Sequence, residues 1–139
     1  MRQAQREFVI ETHGQGLYEF TGEVERWVRQ EGIAQGLLSL FCRHSSASLL
    51  IQENADPDVV HDLAVFFSRV APEDARLYRH SVEGPDDMPA HIRAALTQTS
   101  LTIPVAQGRA ALGAWQGIYL FEHRDRPHRR HVLGHVLGE

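Results

Sequence analysis

Runs of apolar residues, several of them alternating with polar ones, predict seven β-strands. The predicted strands cover residues 7–12, 17–20, 36–43, 47–52, 101–105, 115–122 and 131–137. Only a short polar segment, with His44 followed by two serines, separates the third strand from the fourth. These two strands are therefore predicted to pair with each other.

Apolar positions spaced three and four residues apart predict three helices. They cover residues 22–30, residues 57–70 and a short segment from Pro89 onward. Asp56 is a suitable N-cap for the second helix, Pro57 suits its first turn, and Gly32 is placed to end the first helix. The residues expected to face the core are Val24, Trp27 and Val28 in the first helix, Val59, Val60, Leu63, Phe66, Phe67 and Val70 in the second, and Ile92, Ala95 and Leu96 in the third.

The order of elements is β-β-α-β-β-α, a polar loop, a short helix and three strands, with no internal repeat or linker. Hairpin-like strand pairs with few helices favour an α+β fold with antiparallel sheets over a doubly wound parallel sheet. No glycine-rich G-x-G-x-x-G motif follows a strand, so a dinucleotide-binding fold has no support. A length of 139 residues predicts a single domain spanning residues 1–139.

Composition excludes several classes of function. All 14 cationic side chains are arginine, so the chain has no lysine for a Schiff base or a phosphate-binding P-loop. The net charge of −4 gives no general attraction to nucleic acid. One cysteine, Cys42 in an apolar run, is expected to be a buried, inert thiol. The absence of a signal region and of a membrane-length apolar run predicts a soluble cytoplasmic protein.

Four histidines, each in a short polar segment with acidic or hydroxyl-bearing neighbours, suggest one site assembled from distant parts of the chain. They are His44, His80, His91 and His123. Imidazole is the commonest metal ligand and the commonest acid–base group at neutral pH. A packed histidine at His123, a solvated acidic loop around His80 and His91, and helix capping by Asp56 remain the simpler alternatives.

Three segments together resemble the YjbQ-like family, also called the secondary thiamine-phosphate synthase enzyme family. They are His44–Leu49 continuing into Glu53–Pro57, Glu83–Gly84 through Asp86–Ile92, and Gly113–Ile118 through Glu122–Arg124. The family usually has threonine where this chain has Ser45 and Ala114, and asparagine where it has Gln52. Ser45 keeps the hydroxyl group, whereas Ala114 removes one.

The resemblance implies an α+β fold with a two-sheet antiparallel β-sandwich, a few flanking helices and a homotrimeric assembly. It also implies a weak thiamine-phosphate synthase activity, which joins hydroxymethylpyrimidine diphosphate to thiazole phosphate and releases diphosphate. The expected partner is therefore a small phosphorylated molecule, with no nucleic acid or membrane. Glu53, Asp87 and His44 are the candidate catalytic residues, and Arg124, Gln116 and Ser46 are the candidate substrate- or phosphate-binding residues. His80, His91 and His123 are the candidate metal ligands, with Glu53 and Asp87 as additional ligands or as residues that orient the ligands.

Two other classes of function stay open. One is a metal-dependent hydrolase of a small phosphorylated compound, and the other is a non-catalytic trimeric scaffold stabilised by a metal. A histidine-rich site favours zinc or another transition metal, although magnesium remains possible. A closed shell of four ligands would favour the scaffold, and an open coordination position would favour an enzyme.

Overall fold

The computed structural model describes all residues from 1 to 139, and every predicted strand and helix is present in it. The strands are β1 (Arg2–His13), β2 (Gly16–Glu19), β3 (Gln35–Cys42), β4 (Ala47–Glu53), β5 (Ser100–Ala106), β6 (Arg109–Ala110), β7 (Gln116–Glu122) and β8 (Pro127–Gly138). The helices are α1 (Thr21–Glu31), α2 (Pro57–Val70) and α3 (Asp87–Leu96), and Ala75–Leu77 forms a 3-10 turn. None of these helices has the length and hydrophobicity needed to cross a membrane.

The strands form two antiparallel sheets, which confirms the predicted α+β class. The large sheet has the strand order β1-β8-β3-β5-β6, and the small sheet has the order β2-β7-β4. Every strand pair in both sheets is antiparallel. The long connections through α2 and α3 therefore join strands in different sheets rather than parallel neighbours in one sheet.

The core lies between the two sheets and includes Val24, Trp27 and Val28 of α1. The large sheet contributes Phe8, Ile10, Leu38, Leu40, Leu101, Ile103, Val105, Val132 and Val136, and the small sheet contributes Leu49, Ile118 and Leu120. Trp27 of α1 packs edge-on against Phe8, with ring centroids 5.7 Å apart. Burial of each such side chain contributes about 1.5–3 kcal/mol before conformational entropy is subtracted.

The predicted pairing of β3 with β4 is wrong. Both edges of β3 are occupied by β5 and β8, and β4 pairs with β7 in the other sheet. The segment Arg43–Ser46 therefore carries the chain from one sheet to the other instead of forming a hairpin. This crossing lies at the end of the small sheet where the candidate site is built.

The predicted core stripe of α2 does not reach the core. Asp56 caps the helix as predicted, because its Oδ1 accepts a hydrogen bond of 2.9 Å from the backbone of Asp58. No residue of α2 is buried, however, and Phe66 and Val70 are 55% and 43% exposed. The other stripe residues, Val59, Val60, Leu63 and Phe67, are half-buried, and the ring of Phe67 packs 5.4 Å from that of Phe121 on the small sheet. The apolar face of the helix is thus only partly covered in the single chain.

The predicted buried face of α3 is also wrong. The helix begins at Asp87, ahead of the predicted start at Pro89, and its buried residues are Asp87, Pro89, Ala90 and Arg93. Leu96, which was expected in the core, is 58% exposed. The helix turns these polar residues inward because Asp87 and Arg93 have hydrogen-bonding partners there, which periodicity of apolar residues cannot reveal.

Candidate functional site

A carboxylate and two imidazoles converge where the polar loop enters α3. Oδ2 of Asp87 lies 2.6 Å from Nε2 of His80 and 3.0 Å from Nε2 of His91. The three ligand atoms all lie within 4.8 Å of one another. Asp87 is buried, while the side chains of His80 and His91 are 37% and 32% exposed. One side of the cluster therefore remains accessible to solvent.

Local structure explains how these groups meet. Asp87 and His91 are four residues apart on α3, so they project from the same face of the helix. His80 approaches from the loop before the helix. Nδ1 of His91 donates a hydrogen bond of 2.9 Å to the backbone carbonyl of Ser45, in the crossing between the sheets. This contact fixes the orientation of the ring.

The two contacts of His91 determine which of its ring nitrogens carry protons. The Ser45 carbonyl can only accept a hydrogen bond, so Nδ1 must carry a proton. An ionised Asp87 can also only accept, so its contact with Nε2 requires a second ring proton or a cation in that place. A metal-binding histidine usually has this arrangement, with one ring nitrogen held by a carbonyl and the other facing the ion.

Arg124 binds the carboxylate oxygen of Asp87 that the two imidazoles do not contact. Its Nη1 donates to Oδ1 of Asp87 at 2.7 Å, its Nε donates to Oδ2 of Asp86 at 2.9 Å, and its Nη2 donates to the carbonyl of Glu83 at 2.8 Å. Burial alone would raise the pKa of Asp87, but hydrogen bonds and charge from His80, His91 and Arg124 lower it below its usual value. Asp87 is therefore ionised at neutral pH. The guanidinium predicted to contact a phosphate instead positions the cluster.

His123 lies outside this cluster. It is fully buried, and its Nε2 lies 2.8 Å from Oγ of Ser48. Burial, with a further contribution from the charge of Arg93, lowers its pKa to about 3, so the ring is neutral. The expectation that His80, His91 and His123 converge is therefore corrected: Asp87 takes the third position of the group.

Ser46 belongs to a buried ion pair rather than to an open binding surface. Nη2 of Arg130 donates to Oγ of Ser46 at 3.0 Å and also to the carboxylate of Glu122. Nε of Arg130 donates to the other oxygen of Glu122 at 2.8 Å, and Thr12 donates to that oxygen at 2.6 Å. These contacts join β7 in the small sheet to β1 and β8 in the large one.

Glu53 and Gln116 lie at the opposite end of the small sheet. They face each other across β4 and β7, while Ala47 and Glu122 face each other at the end near the cluster. Six strand positions at about 3.3–3.4 Å each put the two ends about 20 Å apart. Oε2 of Glu53 accepts from the backbone of Asp56 at 2.9 Å, and Oε1 of Gln116 accepts from that of Gly113 at 2.7 Å. Within one chain these residues cannot share a site with the histidines.

His44 faces a third region, on the large sheet. Its Nε2 accepts a hydrogen bond of 2.8 Å from the backbone of His131, and the two rings stack with centroids 5.9 Å apart. Burial and the charges of Arg130 and His131 lower the pKa of His44, so it is neutral at pH 7. The ring lines a shallow groove with Glu7, Arg43 and His131, none of which belongs to the cluster of His80, Asp87 and His91.

Residues that sequence reasoning missed complete the site. Asp86 is buried and accepts hydrogen bonds from Arg124 and from the backbone of Asp125. Its position beside Asp87, just ahead of a predicted helix, was a signal visible in the sequence. The carbonyl of Ser45 and the buried guanidinium of Arg130 carried no comparable signal, since both act through long-range contacts.

Comparison with known proteins identifies the family. A profile described as "UPF0047 protein YjbQ-like" matches residues 6–139. The chain belongs to this family. A UPF0047 protein of Synechocystis sp. is 57% identical over 138 residues, covering 99% of this chain and 94% of that protein. UPF0047 protein YjbQ of Escherichia coli O157:H7 is 39% identical over 136 residues, covering 97% of this chain and 98% of that protein.

Solved structures of similar proteins have the same fold. A YjbQ/UPF0047 family protein of Clostridium acetobutylicum, 36% identical, superposes with a TM-score of 0.86 over 95% of this chain and 99% of that one. A hypothetical protein of Aeropyrum pernix K1, 28% identical, superposes with a TM-score of 0.89 over 98% of this chain and 99% of that one. Family membership identifies the fold but does not identify a reaction.

The buried pair gives a first prediction. Hydrogen bonds from Arg130 and Thr12 outweigh burial and lower the pKa of Glu122 below its ordinary 4.5. A lowered pKa in the folded state contributes stability above the unfolded pKa, and that stability is lost as the pH falls through the folded value. We expect Glu122→Gln to reduce the free energy of unfolding by roughly 3–5 kcal/mol at pH 7, and by less below pH 4.5. Urea unfolding of the wild type and the variant at pH 7 and below pH 4.5 measures the difference in the free energy of unfolding.

Glu11→Gln is the matched control, because Glu11 pairs with Arg129 at 2.8 Å on the exposed surface. It should change the free energy of unfolding by less than about 1 kcal/mol. Equal effects of the two substitutions, or an effect of Glu122→Gln that does not depend on pH, would contradict the role given to this pair.

Proposed function

We propose that this chain is a metal-dependent enzyme acting on a small phosphorylated molecule, with a divalent transition metal held by His80, Asp87 and His91. The observation that carries the proposal is the convergence of two imidazole nitrogens on one carboxylate oxygen. The carbonyl of Ser45 supports it further, because it commits the other nitrogen of His91 to donation.

The donor set favours a transition metal. Two imidazoles and a carboxylate suit zinc, manganese or iron, whereas magnesium prefers carboxylates and water. Three protein ligands leave coordination positions free, which is typical of catalytic rather than structural sites. The exposed side of His80 and His91 is where a substrate would approach. These features favour an enzyme over a metal-stabilised scaffold.

The chain's own residues prepare this site in two ways. Arg124 and Asp86 fix the rotamer of Asp87, so the carboxylate does not have to be ordered when an ion or substrate arrives. Ser45 fixes the ring of His91 in the same way. A divalent ion held there would stabilise negative charge on phosphate oxygens as a Lewis acid.

Two reactions fit such a site. The family resemblance implies thiamine-phosphate synthesis, in which the pyrimidine-methyl carbon loses diphosphate and bonds to the thiazole nitrogen. Hydrolysis of a small phosphorylated compound needs only one organic substrate. The geometry of the single chain favours hydrolysis, since Arg124, the arginine predicted to neutralise the leaving diphosphate, is already bound by two carboxylates.

Metal binding is tested by substitution. Asp87→Asn, His80→Ala and His91→Ala should each abolish stoichiometric binding of Zn²⁺ or Mn²⁺, because each removes one of three ligands. Arg124→Ala should weaken the affinity about 10–100-fold, because it leaves Asp87 unoriented. Calorimetric titration of chelator-treated protein measures both effects.

Two histidines serve as controls for that titration. His61→Ala changes an exposed imidazole on α2 and should bind the ion like the wild type. His123→Ala should also retain the ion if it folds, because His123 lies outside the cluster. Retention of the ion by Asp87→Asn and both ligand-histidine variants would rule out the assigned site.

Activity separates the candidate reactions. Metal-loaded protein is incubated with hydroxymethylpyrimidine diphosphate, with and without thiazole phosphate, and thiamine phosphate and inorganic phosphate are quantified. We expect slow turnover that is lost with chelator and in Asp87→Asn. Thiamine phosphate formed only with both substrates supports the synthase, and phosphate released from the diphosphate alone supports the hydrolase. If the fully metal-loaded protein forms neither product, the metal-stabilised scaffold is the remaining interpretation.

We also propose that the protein assembles as a homotrimer. A cyclic trimer has heterologous interfaces, in which one surface patch meets a different patch on the next copy. This chain has two exposed apolar patches: Phe66 and Val70 on α2, and Leu37, Phe41, Val9 and Leu137 on the outer face of the large sheet. Assembly could also bring Glu53 and Gln116 of one copy toward the histidine cluster of another, which one chain cannot do.

The trimer is tested by mass and by charge placed in each patch. Light scattering at micromolar concentration should give three times the chain mass of 15.7 kDa. Phe66→Asp and Leu37→Asp should each lower the mass, because a buried carboxylate opposes association. Val82→Asp is the control, since Val82 is 90% exposed in a loop and belongs to neither patch. A stable wild-type monomer would refute the assembly.

A further inference from the structure

Where β3 leaves the large sheet, an imidazole replaces one backbone hydrogen bond of the ladder. Arg43 directly follows the last residue of β3 that pairs with β8, and its amide donates to the carbonyl of His131 at 3.2 Å. In an antiparallel pair of this kind, the amide of His131 would donate back to the carbonyl of Arg43. It donates instead to Nε2 of His44 at 2.8 Å. The ring of His44 therefore takes the place of a backbone acceptor at the point where the chain turns toward the small sheet.

The other end of the crossing is held by the small sheet and the buried ion pair. The carbonyl of Ser46 accepts from the amide of His123 at 3.3 Å and from Nη2 of Arg130 at 3.2 Å. Its Oγ accepts from the same Nη2 at 3.0 Å. Ser45 is thus the one residue between two anchored neighbours. Its carbonyl, which accepts from Nδ1 of His91 at 2.9 Å, owes its direction to both anchors.

The protonation of His44 suits the role of an acceptor. A backbone amide can only donate, so Nε2 carries no proton and the proton of the neutral ring is on Nδ1. Burial and the charges of Arg130 and His131 lower the pKa of His44, which keeps the ring neutral at pH 7. A side chain without an acceptor at this position leaves the amide of His131 without its partner.

His44 does not contact the metal-type cluster itself. Its one side-chain hydrogen bond comes from the amide of His131, and its ring stacks on that of His131 with centroids 5.9 Å apart. No hydrogen bond joins it to any of the three cluster side chains. Its influence on the cluster therefore passes through the backbone, from His44 to the carbonyl of Ser45 and from that carbonyl to His91.

We propose that His44 is a positioning residue, which accepts the amide of His131, fixes the carbonyl of Ser45 and thereby orients the ring of His91. Without this acceptor the residue before Ser45 is free to move, and His91 has to be ordered when a ligand binds. The effect on the ring of His91 stands by itself, whereas an effect on metal affinity rests on the proposed function.

The orientation of His91 is tested in metal-free protein by the NMR chemical shifts of the ring nitrogens at pH 7. Nδ1 of His91 should be protonated in the wild type, because the Ser45 carbonyl only accepts. It should stay protonated in His44→Gln, since Oε1 of glutamine can accept from the amide of His131 at the place of Nε2. In His44→Ala it should be less protonated, because the carbonyl is no longer held toward the ring.

Metal affinity gives the second readout. In calorimetric titration of chelator-treated protein with Zn²⁺, His44→Ala should bind about tenfold more weakly, at the low end of the range for residues that orient a ligand. His44→Gln should bind like the wild type. His135→Ala is the matched control, because His135 is a half-buried histidine of β8 that contacts Gln5 instead of the crossing. Urea unfolding of each variant separates a loss of affinity from a loss of fold.

Wild-type protonation of His91 in folded His44→Ala would overturn the proposal, and so would His44→Gln behaving like His44→Ala. A protonated Nε2 of His44 in the wild type would overturn it whatever the variants do. If His44→Ala does not fold, His44→Asn replaces it, because the shorter amide does not reach the position of Nε2. If wild-type protein binds no Zn²⁺, the proposed function fails, and the ring-nitrogen shifts still decide whether His44 positions His91.

Discussion

The buried ion pair between Glu122 and Arg130 is the contact on which the site depends. It connects the central strand of the small sheet to β8 of the large sheet, and Thr12 adds a third strand to the same carboxylate. Burying two charges is costly, and the cost is offset only when nearly every polar atom has a partner. Here backbone amides of His123 and Arg124 also donate to Glu122, at 3.1 and 3.2 Å. The pair therefore fixes the backbone from which Arg124 projects.

Charge-assisted hydrogen bonds connect that fixed backbone to the other groups of the site. Arg124 binds Asp86 and Asp87, Asp87 meets the two imidazoles, and the Ser45 carbonyl orients one of them. Each of these contacts fixes a side chain that would otherwise have to be ordered when a ligand binds. The result is a carboxylate and two imidazoles held in place by hydrogen bonds and accessible on one face, with Asp87 and His91 on α3 and His80 in the loop before it.

The fold was largely predictable because its signals are local. Alternation along β5 and the helical spacing of Val24, Trp27 and Val28 predict elements that the structure confirms. Which strands pair is not local: β3 and β4 are adjacent in sequence, yet hydrogen bonding to β5 and β8 outcompetes a hairpin. The apolar stripe of α2 was identified correctly but was wrongly assigned to the core. An apolar helix face indicates that another surface must cover it, but it does not show whether that surface is the core of the same chain.

The site was less predictable because residue type does not determine environment. His91 and His123 each lie within four residues of a carboxylate, and sequence reasoning assigned them the same role. The structure gives His91 a carbonyl on one nitrogen, a carboxylate on the other and a solvent-facing edge. It gives His123 full burial, a hydrogen bond with Ser48 and the nearby charge of Arg93, and the burial and the charge keep the ring neutral. The difference arises from which end of a strand or helix each residue occupies. That position depends on sheet topology, which spacing along the chain does not encode.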